Sequence, residues 1–112
     1  MSNELASEHY KAHIEKPFYK GLVSFITSGP LVCIAVEGNN AVSLIRNSMG
    51  STNPVDSHPG TIRGDLAIDI GRNLIHGSDS VEEGSREVNL FFTPNELINY
   101  SLANEDWITE PQ

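Results

Sequence analysis

Leu5, Ala6 and Tyr10, with His9 and His13 interleaved, recur at three- and four-residue spacings behind a capping Ser2 and the early acid Glu4. That pattern predicts a helix which stops before Pro17. A second helical periodicity, carried by Phe18, Leu22, Val23, Phe25 and Ile26, predicts a helix from Phe18 to Thr27, closed by Ser28-Gly29-Pro30. Leu31 to Glu37 is a continuous apolar run rich in β-branched residues and reads as a buried strand ending at Gly38-Asn39-Asn40. Ala41 to Asn47 predicts a third helix, capped by Asn39 or Asn40 and finished by Gly50. Residues 50–64 hold Gly50, Pro54, Pro59, Gly60 and Gly64 among polar neighbours. A loop this long inside a small domain is uncommon unless it has a function, so it is read as a functional loop. Asp65 to Ile70 is too short and mixed to assign.

Arg72 to His76 reads as a second strand, running into a turn at Gly77-Ser78-Asp79. Ser80 then caps a helix whose first turn holds Glu82 and Glu83, where the helix dipole favours acids. Thr93-Pro94-Asn95-Glu96 is a capping box with proline at the first helical position, opening a short helix through Tyr100. The acidic tail carries one large apolar anchor, Trp107. Alternating strand and helix patterns argue for an α/β or α+β sandwich. Two strands alone do not make a stable sheet, so part of the sheet is missing from the pattern.

With 112 residues the chain is a single domain, and at 38% hydrophobic content its stability is expected to draw on a partner subunit. Seven Lys and Arg against fifteen Asp and Glu leave a net charge of −8. Such a surface excludes general coating of nucleic acid, and any anion must be held locally. The one cysteine, Cys33, sits in the apolar run and reads as a buried reduced thiol, pointing to a reducing compartment. No stretch has the length of a membrane span and Met1-Ser2-Asn3-Glu4 lacks the features of a signal peptide, so a soluble cytoplasmic protein is expected.

His76 follows an apolar segment and precedes a turn and a helix start, a geometry suited to anions. The alternative is a histidine hydrogen-bonded within a turn. Glu87, further along the next helix, could return a carboxylate to His76 and fix its tautomer. Arg46, Arg63 and Arg72 are three of only seven cations, and Arg46 and Arg63 look placed for a phosphate-type ligand. Taken singly, each is as well explained by solvation or an ion pair. No Walker motif, dinucleotide fingerprint, zinc spacing or nucleophile elbow occurs. His9 and His13, spaced i,i+4, read as a solvated helix face, and no protein metal site is expected.

Asn53-Pro54, Pro59-Gly60-Thr61-Ile62-Arg63-Gly64-Asp65 and Gly71-Arg72-Asn73-Leu74-Ile75-His76-Gly77-Ser78-Asp79-Ser80, read together, closely resemble the nucleoside diphosphate kinase family. His9-Tyr10, Lys16-Pro17-Phe18, Thr27-Ser28-Gly29-Pro30, Glu87, Phe91-Phe92 and Trp107-Ile108 match it in order and spacing, so the resemblance covers essentially the whole chain. It implies a ping-pong transfer of the γ-phosphate of ATP or another nucleoside triphosphate to a nucleoside diphosphate through a phosphohistidine. On the same resemblance His76 is the nucleophile, phosphorylated on Nδ1, with Glu87 holding its other nitrogen, Ser78 supporting Glu87 and Tyr10 lining the site. Arg46, Thr52 and Arg63 contact the phosphates, Asn73 the ribose, and Phe18 and Ile70 sandwich the base. Mg²⁺ rides on the phosphates.

The implied fold is α+β, a ferredoxin-like antiparallel sheet sandwich with helices. Here it would be N-terminally incomplete, because the family's first strand, helix and second strand and its Lys-Pro-Asp motif precede the segment matching Met1. Lys16-Pro17 runs into Phe18 and belongs elsewhere in the pattern. A homo-oligomer, hexamer or tetramer, is implied, with residues 50–64 as the assembly loop. A second reading remains open: a truncated, non-catalytic member that binds nucleotides or assembles with complete subunits.

Overall fold

A computed structural model describes residues 1–111. The helices form where local signals are strongest. In α1 (Asn3–His9) the Ser2 side chain accepts the Leu5 N–H, and in α2 (Tyr19–Ile26) Thr27 closes the last turn by donating its hydroxyl to the Val23 carbonyl. Helix α3 (Ala41–Met49) starts at Asn40 in the left-handed region, a conformation asparagine tolerates better than most residues. Helix α4 (Ile62–Leu66) is capped by Thr61, whose hydroxyl accepts the Gly64 N–H. In α5 (Val81–Phe91) the Ser80 hydroxyl accepts the Glu83 N–H, and α6 (Glu105–Ile108) is a single turn near the C-terminus. Short 3₁₀ turns occupy Lys11–His13, Pro54–Asp56, Ile70–Arg72 and Pro94–Glu96.

Helix α1 packs against both α2 and α5, and α3 packs against α4. The buried hydrophobic side chains among the described residues are few: Ala6, Tyr10 and Met49. A radius of gyration of 16.0 Å exceeds the roughly 13 Å of a compact domain of this length. An open trough of about 2170 Å³ is bordered by residues 31–36, by 74–76 and by the Val88, Phe91 and Phe92 face of α5.

That trough corrects the expected strands. Neither Leu31–Glu37 nor Arg72–His76 is a strand, and among the described residues no strand forms at all. A strand exists only through its neighbour, and although both segments border the trough, neither forms a backbone ladder with another segment among the described residues. Residues 31–37 therefore lie exposed, Val32 at 85%, and Cys33 is exposed rather than buried. The loop over 50–64 is more ordered than expected, since it contains a 3₁₀ turn and the start of α4. The capping box at Thr93 and Glu96 is present, but it opens one 3₁₀ turn, ending at Glu96, instead of a helix through Tyr100. Trp107 is 87% exposed and anchors nothing within the chain.

Candidate active site

His76 stands at the end of a distorted loop, and Glu87 projects from the second half of α5. Both carboxylate oxygens of Glu87 lie 3.1 Å from His76 Nε2. The Ser78 hydroxyl donates to Glu87 Oε2 at 2.6 Å. Ser80, by capping α5, sets where that helix starts and hence where Glu87 emerges, just over a turn after Glu83. Glu87 is nearly enclosed, at 12% side-chain exposure, whereas His76 remains 44% exposed. Burial works against the charge on Glu87, but the hydrogen bond from Ser78 and the interactions with His76 outweigh it, so its pKa lies below the usual carboxylate value. The arrangement leaves His76 Nδ1 as the ring nitrogen not engaged with Glu87.

The backbone leading to His76 is held in an unusual shape. Leu74 has φ of 73°, and the Ile75 N–H donates to the Asn73 carbonyl across it, forming a strained γ-turn. Such a conformation in a residue with a Cβ costs on the order of 1–3 kcal/mol and persists only when its surroundings enforce it. Arg63 supplies that enforcement. Its Nε donates to the Asn73 carbonyl and one terminal nitrogen donates to the Ile75 carbonyl, gripping the turn on both sides of Leu74. Its other terminal nitrogen donates to the Gly50 carbonyl at 3.2 Å, tying in the end of α3. Arg63 is buried, and burial followed by the nearby Arg46 charge lowers its pKa from the ordinary arginine value.

Two glycines make this packing possible. A Cβ on Gly64 would collide with the His58 backbone, and one on Gly77 would collide with the sulfur of buried Met49. The bare Gly77 backbone thus lies against α3, where its carbonyl accepts a hydrogen bond from Arg46 at 3.1 Å. Asn73 donates through Nδ2 to the Thr52 carbonyl at 3.0 Å, joining the loop after α3 to the γ-turn.

His76, Glu87, Ser78 and Tyr10 converge: the Tyr10 ring lies edge-on to His76 at 6.2 Å between centroids. Burial, and then the Glu87 charge, raise the Tyr10 pKa. Arg46, Arg63, Thr52 and Asn73 reach the same loop through the bonds already described. Phe18 and Ile70 are both exposed, and the Arg72 guanidinium, at the end of the Ile70–Arg72 turn, lies 3.8 Å from the Phe25 ring centre on α2. The Phe18 ring lies tilted to that of His13, 5.7 Å between centroids.

Two residues belong to the site that the sequence reading did not place there. His9 is 6% exposed and not on a solvated face. Its ring packs edge-on against His76 at 4.7 Å and against Phe91 at 5.1 Å, and its Nδ1 lies 4.0 Å from Glu87 Oε1. Burial, followed by the His76 charge, pushes its pKa down to about 4. The signal was present, since His9 shares the apolar stripe of α1 with Leu5 and Ala6. Arg86 donates to the His9 carbonyl at 3.3 Å and to Glu83 at 3.0 Å, and approaches Glu87 at 4.0 Å. It bridges α1 and α5.

The nucleoside diphosphate kinase family model matches residues 1–97. The chain is 56% identical to the nucleoside diphosphate kinase of Staphylococcus carnosus and 50% identical to that of Archaeoglobus fulgidus, in each case over 98% of this chain and 73% of the relative. Among solved structures, a nucleoside diphosphate kinase family protein from Babesia bovis superposes with a TM-score of 0.93 at 39% identity, covering 97% of this chain and 74% of its own. A halophilic nucleoside diphosphate kinase from Halobacterium salinarum in complex with CDP superposes with a TM-score of 0.88 at 47% identity, covering 97% and 73%.

Proposed function

The chain belongs to the nucleoside diphosphate kinase family, and from that premise we propose that it moves phosphate between nucleotides through His76. Its activity is that of a nucleoside diphosphate kinase, a nucleotide-binding phosphotransferase with the family's fold. The non-catalytic reading is not favoured, because relatives at 50–56% identity over 98% of the chain carry the kinase name. The observation that carries the mechanism is the Glu87–His76 pair supported by Ser78.

In the proposed reaction, the Nδ1 lone pair of neutral His76 attacks the γ-phosphorus of a nucleoside triphosphate. The Nδ1–P bond forms as the bond from phosphorus to the β,γ-bridging oxygen breaks, and the diphosphate leaves. The proton stays on Nε2, donated to Glu87, whose charge offsets the positive charge the ring acquires. A second nucleoside diphosphate then attacks the phosphohistidine in the reverse sense. Arg46, Thr52 and the free N–H groups of Arg63 bind the phosphates, Asn73 the ribose, and Phe18 and Ile70 the base faces; stacking on a face common to all bases makes the site tolerant of base identity. That the Halobacterium relative was solved with CDP supports a nucleotide in this place.

The chain's own donors fit Mg²⁺ only by way of the nucleotide. The one group of possible ligands among the described residues, His9, His76 and Glu87, offers imidazole nitrogens, whereas Mg²⁺ takes oxygen. When bound to the phosphates, Mg²⁺ neutralises their oxygens; the residues around His76 align the reacting atoms. We place the protein in the cytoplasm as a homo-oligomer with residues 50–64 in the assembly surface; the apolar segments the single chain leaves uncovered support the assembly. The ferredoxin-like antiparallel sheet forms when the two extended segments bordering the trough gain strand neighbours.

Transfer of label from the γ-position of ATP to GDP tests this reading. Parallel-line kinetics, as substitution through an enzyme intermediate requires, are expected. Intersecting lines, requiring both nucleotides at once, would overturn it.

A further inference from the structure

His9 Nδ1 is a buried nitrogen without a hydrogen-bond partner, on a residue more than nine-tenths enclosed, and it is aimed at Glu87. A buried unpaired polar atom is costly, so it marks a place where something polar belongs. Around that place stand His9, His76 and Glu87, with one ligating atom of each within 4.8 Å of the others. His76 Nε2 is 3.1 Å from Glu87 Oε1, and His9 Nδ1 is 4.0 Å from the same oxygen.

We propose that His9, His76 and Glu87 form a binding site for a borderline divalent ion such as Zn²⁺, which holds the histidine in an inactive state. Two imidazoles and a carboxylate are a recurring donor set for zinc, with bonds of about 2.0–2.2 Å and a fourth position left to solvent. At those bond lengths a tetrahedral ion sets its ligand atoms about 3.4 Å apart, so the cluster, whose atoms lie within 4.8 Å of one another, needs a contraction of up to about 1.4 Å. His76 supplies it, since its half-exposed ring is the freest of the three. Ser78 already occupies Oε2, leaving Oε1 for the ion. The opposing feature is Arg86, whose guanidinium lies 4.0 Å from Oε1; it must swing toward Glu83, its other partner.

On binding, the ion takes the Nε2 position facing Glu87, and the Nε2 proton leaves to solvent. The ring then loses the hydrogen bond that orients it and shares its electrons with a cation, so Nδ1 becomes a poorer nucleophile. The site itself follows from the geometry alone, while its effect on phosphoryl transfer rests on the kinase reading above.

The test titrates the full chain with ZnCl₂ while following imidazole ¹⁵N resonances. One equivalent should shift His9 and His76 together, and calorimetry should show that His9→Phe weakens zinc binding by at least about tenfold, with His58→Gln unchanged. Shifts confined to His13 or His58, or equal zinc affinity in His9→Phe and the parent, would overturn the site. The same zinc should lower the yield of phosphohistidine from labelled ATP; an unchanged yield with zinc bound would overturn the inactive state. If no phosphohistidine forms even without zinc, the kinase reading fails, and the nitrogen shifts still decide the site.

Discussion

Glu87 faces His76 Nε2 with both carboxylate oxygens, each at 3.1 Å. This symmetric approach engages one ring nitrogen and leaves Nδ1, the attacking atom of the mechanism proposed above, unengaged with Glu87. Removing the carboxylate in Glu87→Ala should slow phosphoenzyme formation by about 10²-fold or more. Ser78→Ala removes only the support of Oε2 and should slow it by about tenfold, in line with one hydrogen bond to a charged group. Rapid-quench labelling measures both. Equal rates for Glu87→Ala and the parent would show that the pair plays no part in the reaction.

Arg63 is expected to act in two ways. Its three donated bonds hold the γ-turn at Leu74, and lysine can replace no more than a part of them. Arg63→Lys should lower unfolding stability by about 2–4 kcal/mol and weaken Mg-ADP binding. Arg46→Lys, which loses one bond to Gly77, should weaken Mg-ADP by about 1–3 kcal/mol with a smaller effect on stability. Denaturant melts beside calorimetric titration separate the two; an Arg63→Lys protein of parental stability would contradict the clamp. Arg86→Lys should also be destabilising, because Arg86 joins α5 to the His9 carbonyl.

His9 makes stability depend on pH. Its folded pKa of about 4 lies below the ordinary value of 6.5, so between those values the unfolded chain binds the extra proton. Stability from this group is full above pH 6.5 and is lost as pH falls toward 4, a loss of up to roughly 3 kcal/mol. His9→Phe, which cannot titrate, should flatten the pH dependence of denaturant unfolding between pH 6.5 and 4. An unchanged slope in that variant would exclude His9 as its source.

The legible parts of the fold were those decided locally. Ser80 and the acids behind it specify α5, and Ser2 specifies α1, because a cap acts within one turn. Helix α4 was hidden by Gly64 within it, although Thr61 two positions before Arg63 was an available cap signal. The strands failed for the opposite reason: pairing is non-local, and Leu31–Glu37 can read as β-forming while having no neighbour to pair with. Within the site, His76, Glu87 and Arg63 are candidates on residue pattern alone and the resemblance adds Ser78, but neither reveals the clamp on Leu74, since no spacing rule reports which carbonyls an arginine reaches. His9 was misread because an i,i+4 histidine pair says nothing about which member faces inward.

Val32 and Ile34, exposed beside the trough, together with Ile98 and Trp107 leave more apolar surface uncovered than a lone soluble chain usually tolerates. Multi-angle light scattering should therefore report particles larger than one chain. A cooperatively melting monomer at all concentrations would refute the assembly reading.

The central claim is that His76 carries the phosphate. Incubation with γ-labelled ATP, followed by acid and base treatment, should give an acid-labile, base-stable adduct that maps to His76. It should vanish in His76→Ala and persist in His58→Ala. Undiminished labelling of the His76→Ala protein would contradict the account.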